Sequence, residues 1–545
     1  MINYKPFQLR LKKLFLACSM IPGVLWAQNY YVDPIKGLSS NNGSQTSPWR
    51  TLQEVFQAGK VFQGGDHIYL LRGDHGAPIV KGINSNSVTI QALAGHTPVM
   101  QSLRLIGASK WNINGLFIGP KAAPNMQIVS VPQLVSISED SNNITLENSY
   151  IFSDFLVNSW TTTNWKKQAR YGISIGGPNN TIRGNHIYNV VTGIQAGFRA
   201  KNTLVDNNVI ENFGHDGIQE KGAYNLYQHN LILNAFNMGD GNHPDGFQAF
   251  GSGNMHDTTL DGNIILSSFH HPNKALYDGT MQGIGLFSSY VNYTVINNLV
   301  MNDHRIGIWL LGGKNCKVIN NTTFRAGDHA PTGGGPTGIR LYWVGPNGPS
   351  RPSVGNIVKN NIVEEISVVN GDGSSVCASL ADCRPNLVNR SASLFLNVAA
   401  RDAHLTNNAA VINRGDPLYA PTVDADGVSR AGRIDLGAYQ YLSGLAADKT
   451  PPSVPQALKA VFTAGLGVDL SWTASTDNRK VEGYEIYRNG TRIGRIRVGT
   501  HFLDPLLSVS GVTYTVKAFD FSMNFSAASA PATPANEPID PPTPC

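Results

Sequence analysis

Two stretches of the chain carry proton-moving side chains at matching positions. "HDGIQEK" runs from His215 to Lys221 and "HPDGFQ" from His243 to Gln248, which sets Asp216 and Asp245 29 residues apart. Each aspartate has a histidine just upstream and a glutamine, Gln219 or Gln248, three residues downstream. Two close carboxylates are the acid and base that glycoside hydrolysis needs. A lysine or histidine beside a cation can instead remove the proton next to a substrate carboxylate. On that chemistry Lys221 and His243 are the candidate bases, and Arg199, His215 and Arg305 the candidate contacts to an acidic group. Asp216, Glu220 and Asp245 are hard oxygen donors suited to a Ca²⁺ ion that would bridge to that group. Downstream, His270, His271, Lys274, Asp278 and His304 add further titratable side chains. The plain alternative is that Asp-Gly marks two turns that happen to rhyme.

The elements around these residues decide between the two readings. Pairs of β-formers flank a short polar step ending in asparagine at Asn148, Asn185, Asn208, Asn230, Asn263, Asn298, Asn321 and Asn361, at spacings of 37, 23, 22, 33, 35, 23 and 40. The short spacings fit one coil of a parallel β-helix, and the long ones a coil with a loop inserted. Stacked asparagines at a corner predict an amide ladder. A second column places Gly172, Gly193, Gly217, Gly246, Gly307 and Gly338 before an apolar residue, with Gly283 or Gly285 supplying the missing coil. If that apolar residue points inward, the next points outward. The outward stripe is then Ser174, Gln195, Gln219, Gln248, Trp309 and Arg340, a surface suited to a polyhydroxylated chain. The inserted loops fall beside the paired aspartates, where a rigid scaffold commonly carries its site.

Composition narrows the class. Lys5, Arg10, Lys12 and Lys13 precede an apolar run from Leu14 to Val24, the pattern of a secretory signal peptide over residues 1–27. Without those four charges the net charge falls from +5 to +1, so no nucleic-acid partner is implied. No later stretch is long and apolar enough to span a membrane. Export would permit a disulfide between Cys377 and Cys383. A secreted bacterial protein, extracellular or periplasmic and monomeric, is expected.

"YYVDPIKGLSSNNGSQTSPWRTLQEVFQAG" with "GGDHIYLLRGDH", and later "DADGVSRAGRIDLGAYQY", resemble the opening and closing segments of secreted right-handed β-helix polysaccharide lyases of the alginate lyase and chondroitinase B type. The resemblance implies an all-β, right-handed parallel β-helix over residues 28–443, with "TLQEVFQA" as a helical cap. It also implies β-elimination on an alginate-, pectate- or glycosaminoglycan-like uronate polymer, with a lysine base and an arginine partner. After a linker over 444–455, residues 456–535 resemble a fibronectin type III module, with Trp472 in its core and Tyr514 at the tyrosine corner. Residues 536–545 are expected to form a disordered tail. Hydrolysis by Asp216 and Asp245, uronate C5-epimerisation and a non-catalytic glycan-binding solenoid stay open as alternatives.

Overall fold

The computed structural model describes residues 27–120 and 133–536, apart from 156, 158, 252–254, 268, 270–280, 288–289, 328, 330–332 and 342–352. The leader up to residue 26, His270, His271, Lys274, Asp278 and the tail beyond 536 lie outside the described residues.

The repeat folds as coils of three short strands. One coil runs Ile194–Ala196, Leu204–Asp206 and Val209–Phe213; the next runs Asp216–Glu220, Leu226–Gln228 and Leu231–Ala235. Equivalent strands pair in parallel with the coil above, Ile194 against Ile218, Leu204 against Leu226 and Val209 against Leu231. Among the described residues two faces merge into a 21-stranded sheet and the third is a 12-stranded sheet. The architecture is a parallel β-helix. Its interior is a column of Ile, Val and Leu side chains, because no single coil can hide its apolar face.

The asparagine ladder exists. Asn185 Nδ2 donates to Asn208 Oδ1 at 3.0 Å, and the same contact repeats through Asn230, Asn263, Asn298, Asn321 and Asn361 to Asn386. Each ladder residue also takes a backbone N–H, as Asn208 Oδ1 does from Asn185 at 3.1 Å. The residue before it turns the corner at positive φ, 52° at Asn207, 56° at Asn297 and 62° at Gly262. Asparagine and glycine tolerate that left-handed backbone best. Asn148 is corrected on this point: with φ 50° it is a corner residue, and Ser149 takes the ladder place below Asn185.

The glycine column has a packing cause. A Cβ on Gly217 would lie 2.4 Å from Ile232 Cγ2 and 2.6 Å from the Gly246 carbonyl. Gly283 continues this column, and Gly285 falls in the outward stripe opposite Gln248.

Both ends and one face are covered. Helix Leu52–Gln57, capped by Thr51, lies with Phe56 and Phe62 against Trp111 at the first coils. The Cys377–Cys383 disulfide forms near the last coils. The C-terminal module is a sandwich of a four-stranded and a three-stranded sheet, with Trp472 and Tyr514 buried in it. It sits on the 12-stranded face, where Phe117, Tyr150, Phe152, Phe155 and Tyr188 join Val468, Leu470 and Phe502 in one apolar cluster. Arg497 of the module reaches Glu211 at 3.2 Å, and Glu211 also meets His186 at 2.9 Å. Burial alone would raise Glu211, but the Arg497 charge and the hydrogen bond to His186 outweigh it and hold the carboxyl down at about 2. No described helix is long and apolar enough to cross a membrane.

Candidate active site

Asp216 and Asp245 begin adjacent strands in register, and strands in a sheet lie about 4.8 Å apart. Strict alternation would turn Asp216 inward with Ile218. Gly217, however, packs against the interior as Ile218 does, so Asp216 emerges on the same side as Gln219. Gln219 Nε2 donates to Asp216 Oδ2 at 2.7 Å, and the Asp245 backbone N–H donates to Asp216 Oδ1 at 3.2 Å. Gln248 Nε2 donates to Asp245 Oδ2 at 2.9 Å, and His243 Nδ1 lies 2.7 Å from that same oxygen. Gln195 Nε2 donates to Gln219 Oε1 at 3.0 Å, so the expected amide stripe is a connected chain feeding the carboxylates.

Exposure separates the members of this cluster. Asp216 and Asp245 are both 0% exposed, whereas the His243 side chain is 50% exposed. A carboxylate accepting at Nδ1 fixes that nitrogen as the proton carrier and leaves Nε2 towards solvent. Asp245 Oδ1 is buried and has no hydrogen-bond partner among the described residues. A Cβ on Gly285 would lie 2.9 Å from it, so glycine in the outward stripe is what leaves room for that oxygen under the Phe287 ring. The Phe287 ring stands over Gly285, edge-on to His243 at 5.8 Å and to Trp309 at 5.9 Å. Arg305 lies 5.6 Å from the Trp309 ring and has no carboxylate partner among the described residues.

The charges follow from these surroundings. Burial, reinforced by the Asp245 charge, pushes Asp216 well above the usual carboxylate range. Burial also raises Asp245, to about 6, with His243 and Gln248 opposing it. The hydrogen bond to Asp245 raises His243. Burial, then Arg305 and His243, lower His304 to about 4. Burial therefore favours the protonated form of Asp216, and at pH 7 Asp245, bound to His243, is ionised and His304 is neutral.

Several expected residues lie elsewhere. Glu220 follows the alternation inward, where it accepts from Tyr227 Oη and from Asn225 Nδ2 at 3.1 Å. Burial lifts it to about 7. It cannot share a cation with Asp216 and Asp245, so the expected Ca²⁺ donor set does not converge. Among the described residues the acidic side chains close enough to surround a cation are Asp448, Asp477 and Asp520, in the linker and sandwich. Lys221 follows the strand that Asp216 begins, roughly 16 Å away at 3.3 Å per residue, and cannot act as base beside the pair. Arg199 is exposed and pairs with Glu139 at 3.0 Å. His215 turns to Asp240 at 2.8 Å, beside the pair but not on it. Trp309 and Arg340 occupy the stripe as expected, with the Arg340 charge met by Glu365 at 2.7 Å. Gln282 stands in register with Asp245, and Phe287 covers the stripe; neither was singled out from the sequence. The signal for both was "QGIGLF", a further copy of the motif with glutamine in the aspartate's place.

The chain is thus a parallel β-helix protein with a docked sandwich and a histidine–aspartate site on one sheet face. No protein-family model matches it. Short stretches match curated proteins at 44% identity: 113 residues with an alpha-amylase of Niallia circulans, 87 with exoglucanase B of Cellulomonas fimi and 82 with chitinase Chi52 of Paenibacillus xylanexedens. These stretches cover 20%, 16% and 15% of this chain, and only 9%, 8% and 16% of those proteins. Among solved structures, pectate lyase Pel9A aligns at 15% identity over 77% of this chain and 98% of its own, with a TM-score of 0.41. The alginate lyase from Paenibacillus sp. str. FPU-7 aligns at 18% identity over 54% and 95%, with a TM-score of 0.36. Likeness at that level assigns neither a reaction nor a substrate.

Proposed function

We propose that this protein is a secreted enzyme that cleaves an acidic, uronate-containing polysaccharide by β-elimination, with His243 as the proton-transfer group. The observation that carries the reading is the contrast in access: His243 opens to solvent while both carboxylates behind it are closed off. Asp245 holds the imidazole by Nδ1, so Nε2 faces the substrate. Arg305, with no carboxylate partner among the described residues, is placed to meet the uronate carboxylate and stabilise the charge that develops on it. Nε2 takes the C5 proton, the freed electron pair forms the C4–C5 double bond, and the C4–O bond breaks. The proton then passes to the departing oxygen. Phe287 and Trp309 offer apolar faces to the sugar rings. The stretches shared with proteins named exoglucanase, chitinase and alpha-amylase support a polysaccharide setting.

Hydrolysis by Asp216 and Asp245 is the second reading, and the raised Asp216 favours it, since a general acid must hold its proton. Their complete burial weighs against it. Incubation with alginate, pectate and glycosaminoglycans, followed at the ultraviolet absorbance of unsaturated uronates, separates the two. Growth of that absorbance is expected; new reducing ends without it would favour hydrolysis.

A further inference from the structure

Lys221 loses its expected role as base but gains a different one. It follows the strand Asp216–Glu220, while Phe198 follows the strand of the coil below and Phe250 the strand of the coil above. The Lys221 ammonium lies 4.4 Å from the Phe250 ring centroid and 5.9 Å from that of Phe198. Lys221 is half-buried, Phe198 is 56% exposed, and no carboxylate among the described residues pairs with the lysine. A cation held against aromatic faces keeps free N–H donors on its open side. A partly desolvated ammonium without a protein counter-charge is matched best by an anion brought by a ligand. Its neighbours fit a sugar chain: the amide stripe Gln195, Gln219 and Gln248 leads along the same sheet face, and the exposed ring of Phe198 offers an apolar platform.

We propose that Lys221, between Phe198 and Phe250, is an anion-recognising subsite for a uronate or sulfate group on the polysaccharide, well away from the bond that is cut. The inference rests on the glycan reading above and gives that substrate a second point of charge recognition. The separation of roughly 16 Å along the strand keeps Lys221 off the reacting atoms, yet within reach of one extended chain. Two walls then flank the amide floor. Imidazoles and Arg305 stand where the strands begin; Phe198, Lys221 and Phe250 stand where they end, while the Phe287 ring folds back over Gly285 towards His243. Lys221 therefore acts on binding, not on proton transfer.

The test uses the full chain carrying His243→Ala, so that substrate is bound without turnover. Affinity electrophoresis through polygalacturonate, alginate, chondroitin sulfate and neutral dextran measures retention. Adding Lys221→Gln should weaken binding to the retained acidic polymer about tenfold, Lys221→Arg should restore most of it, and Phe250→Leu should cost several-fold. In the otherwise unaltered chain, Lys221→Gln should raise KM while leaving kcat and its pH profile in place. Equal retention with and without Lys221, on a polymer that His243→Ala binds, would overturn the subsite and leave the glycan reading standing. Retention on no acidic polymer by His243→Ala would overturn that reading, and the subsite with it. Loss of kcat with KM unchanged in Lys221→Gln would return the lysine to the chemistry.

Discussion

Asp245→Asn changes one atom at the centre of the site, and its effects follow from the atoms around it. Asp245 Oδ2 accepts from both His243 Nδ1 and Gln248 Nε2, and Oδ1 has no partner among the described residues. An asparagine that keeps its oxygen on those two donors puts its NH₂ in the unpartnered place, where a buried donor costs about 1–3 kcal/mol. The flipped amide would face two donors and is worse. In either case His243 loses the negative charge that raises it, so its pKa falls. A base is active when neutral, so the acid limb of kcat/KM should move to lower pH while the plateau drops. Oriented acid–base catalysis contributes on the order of 10²–10⁴-fold, or about 3–5 kcal/mol of barrier. Stability should move separately. A buried carboxyl whose folded pKa is raised to about 6 loses stability as pH climbs from the unfolded value through 6. Removing the charge relieves that loss and offsets the unpartnered amide. Initial rates from pH 5 to 9, with thermal melts on the same samples, read both effects. Turnover within threefold of the parent, with the limb unmoved, would refute the reasoning.

Three further outcomes are expected. Glu220→Gln should flatten a stability loss on the order of 3 kcal/mol between about pH 4.5 and 7, since the folded carboxyl sits near 7 while the unfolded one ionises earlier; denaturant titrations across that range check it. Asn208→Ala should destabilise by about 3–5 kcal/mol, because it strands Asn185 below, Asn230 above and the Ile182 carbonyl; chemical unfolding reads the loss. Arg497→Met alone should cost about 3–5 kcal/mol by stranding both Glu211, buried beside His186, and the buried Glu482, and pairing it with Glu211→Gln should recover only the Glu211 part of that in a double-mutant cycle.

The coil was legible because its causes are local. The Asn-Asn steps mark a left-handed corner followed by a ladder amide, and Asn148 was placed in the wrong column because in its Asn-Ser step the asparagine is the corner and Ser149 takes the ladder place. The site was half legible. Asp216, His243 and Asp245 stood out because the repeat explains the glycine and apolar residue near them but not the paired acids. Alternation, applied to Glu220 itself, would have sent it inward; treating nearness in sequence as nearness in space made it a metal donor. The same shortcut put Lys221 beside the aspartates, although it lies five positions along an extended strand from Asp216. Phe198 and Phe250 escaped notice because each lies just past a strand as a single residue, and only stacking of the coils brings them both to Lys221; Phe287, placed likewise, folds back over Gly285.

Product mass tests the central claim most directly. The parent chain, incubated with the acidic polymer it turns over, should release fragments whose masses sum to that of the substrate with no water added. His243→Ala should release none. Fragments heavier by one water per bond cut, still formed when His243 is replaced, would contradict the account.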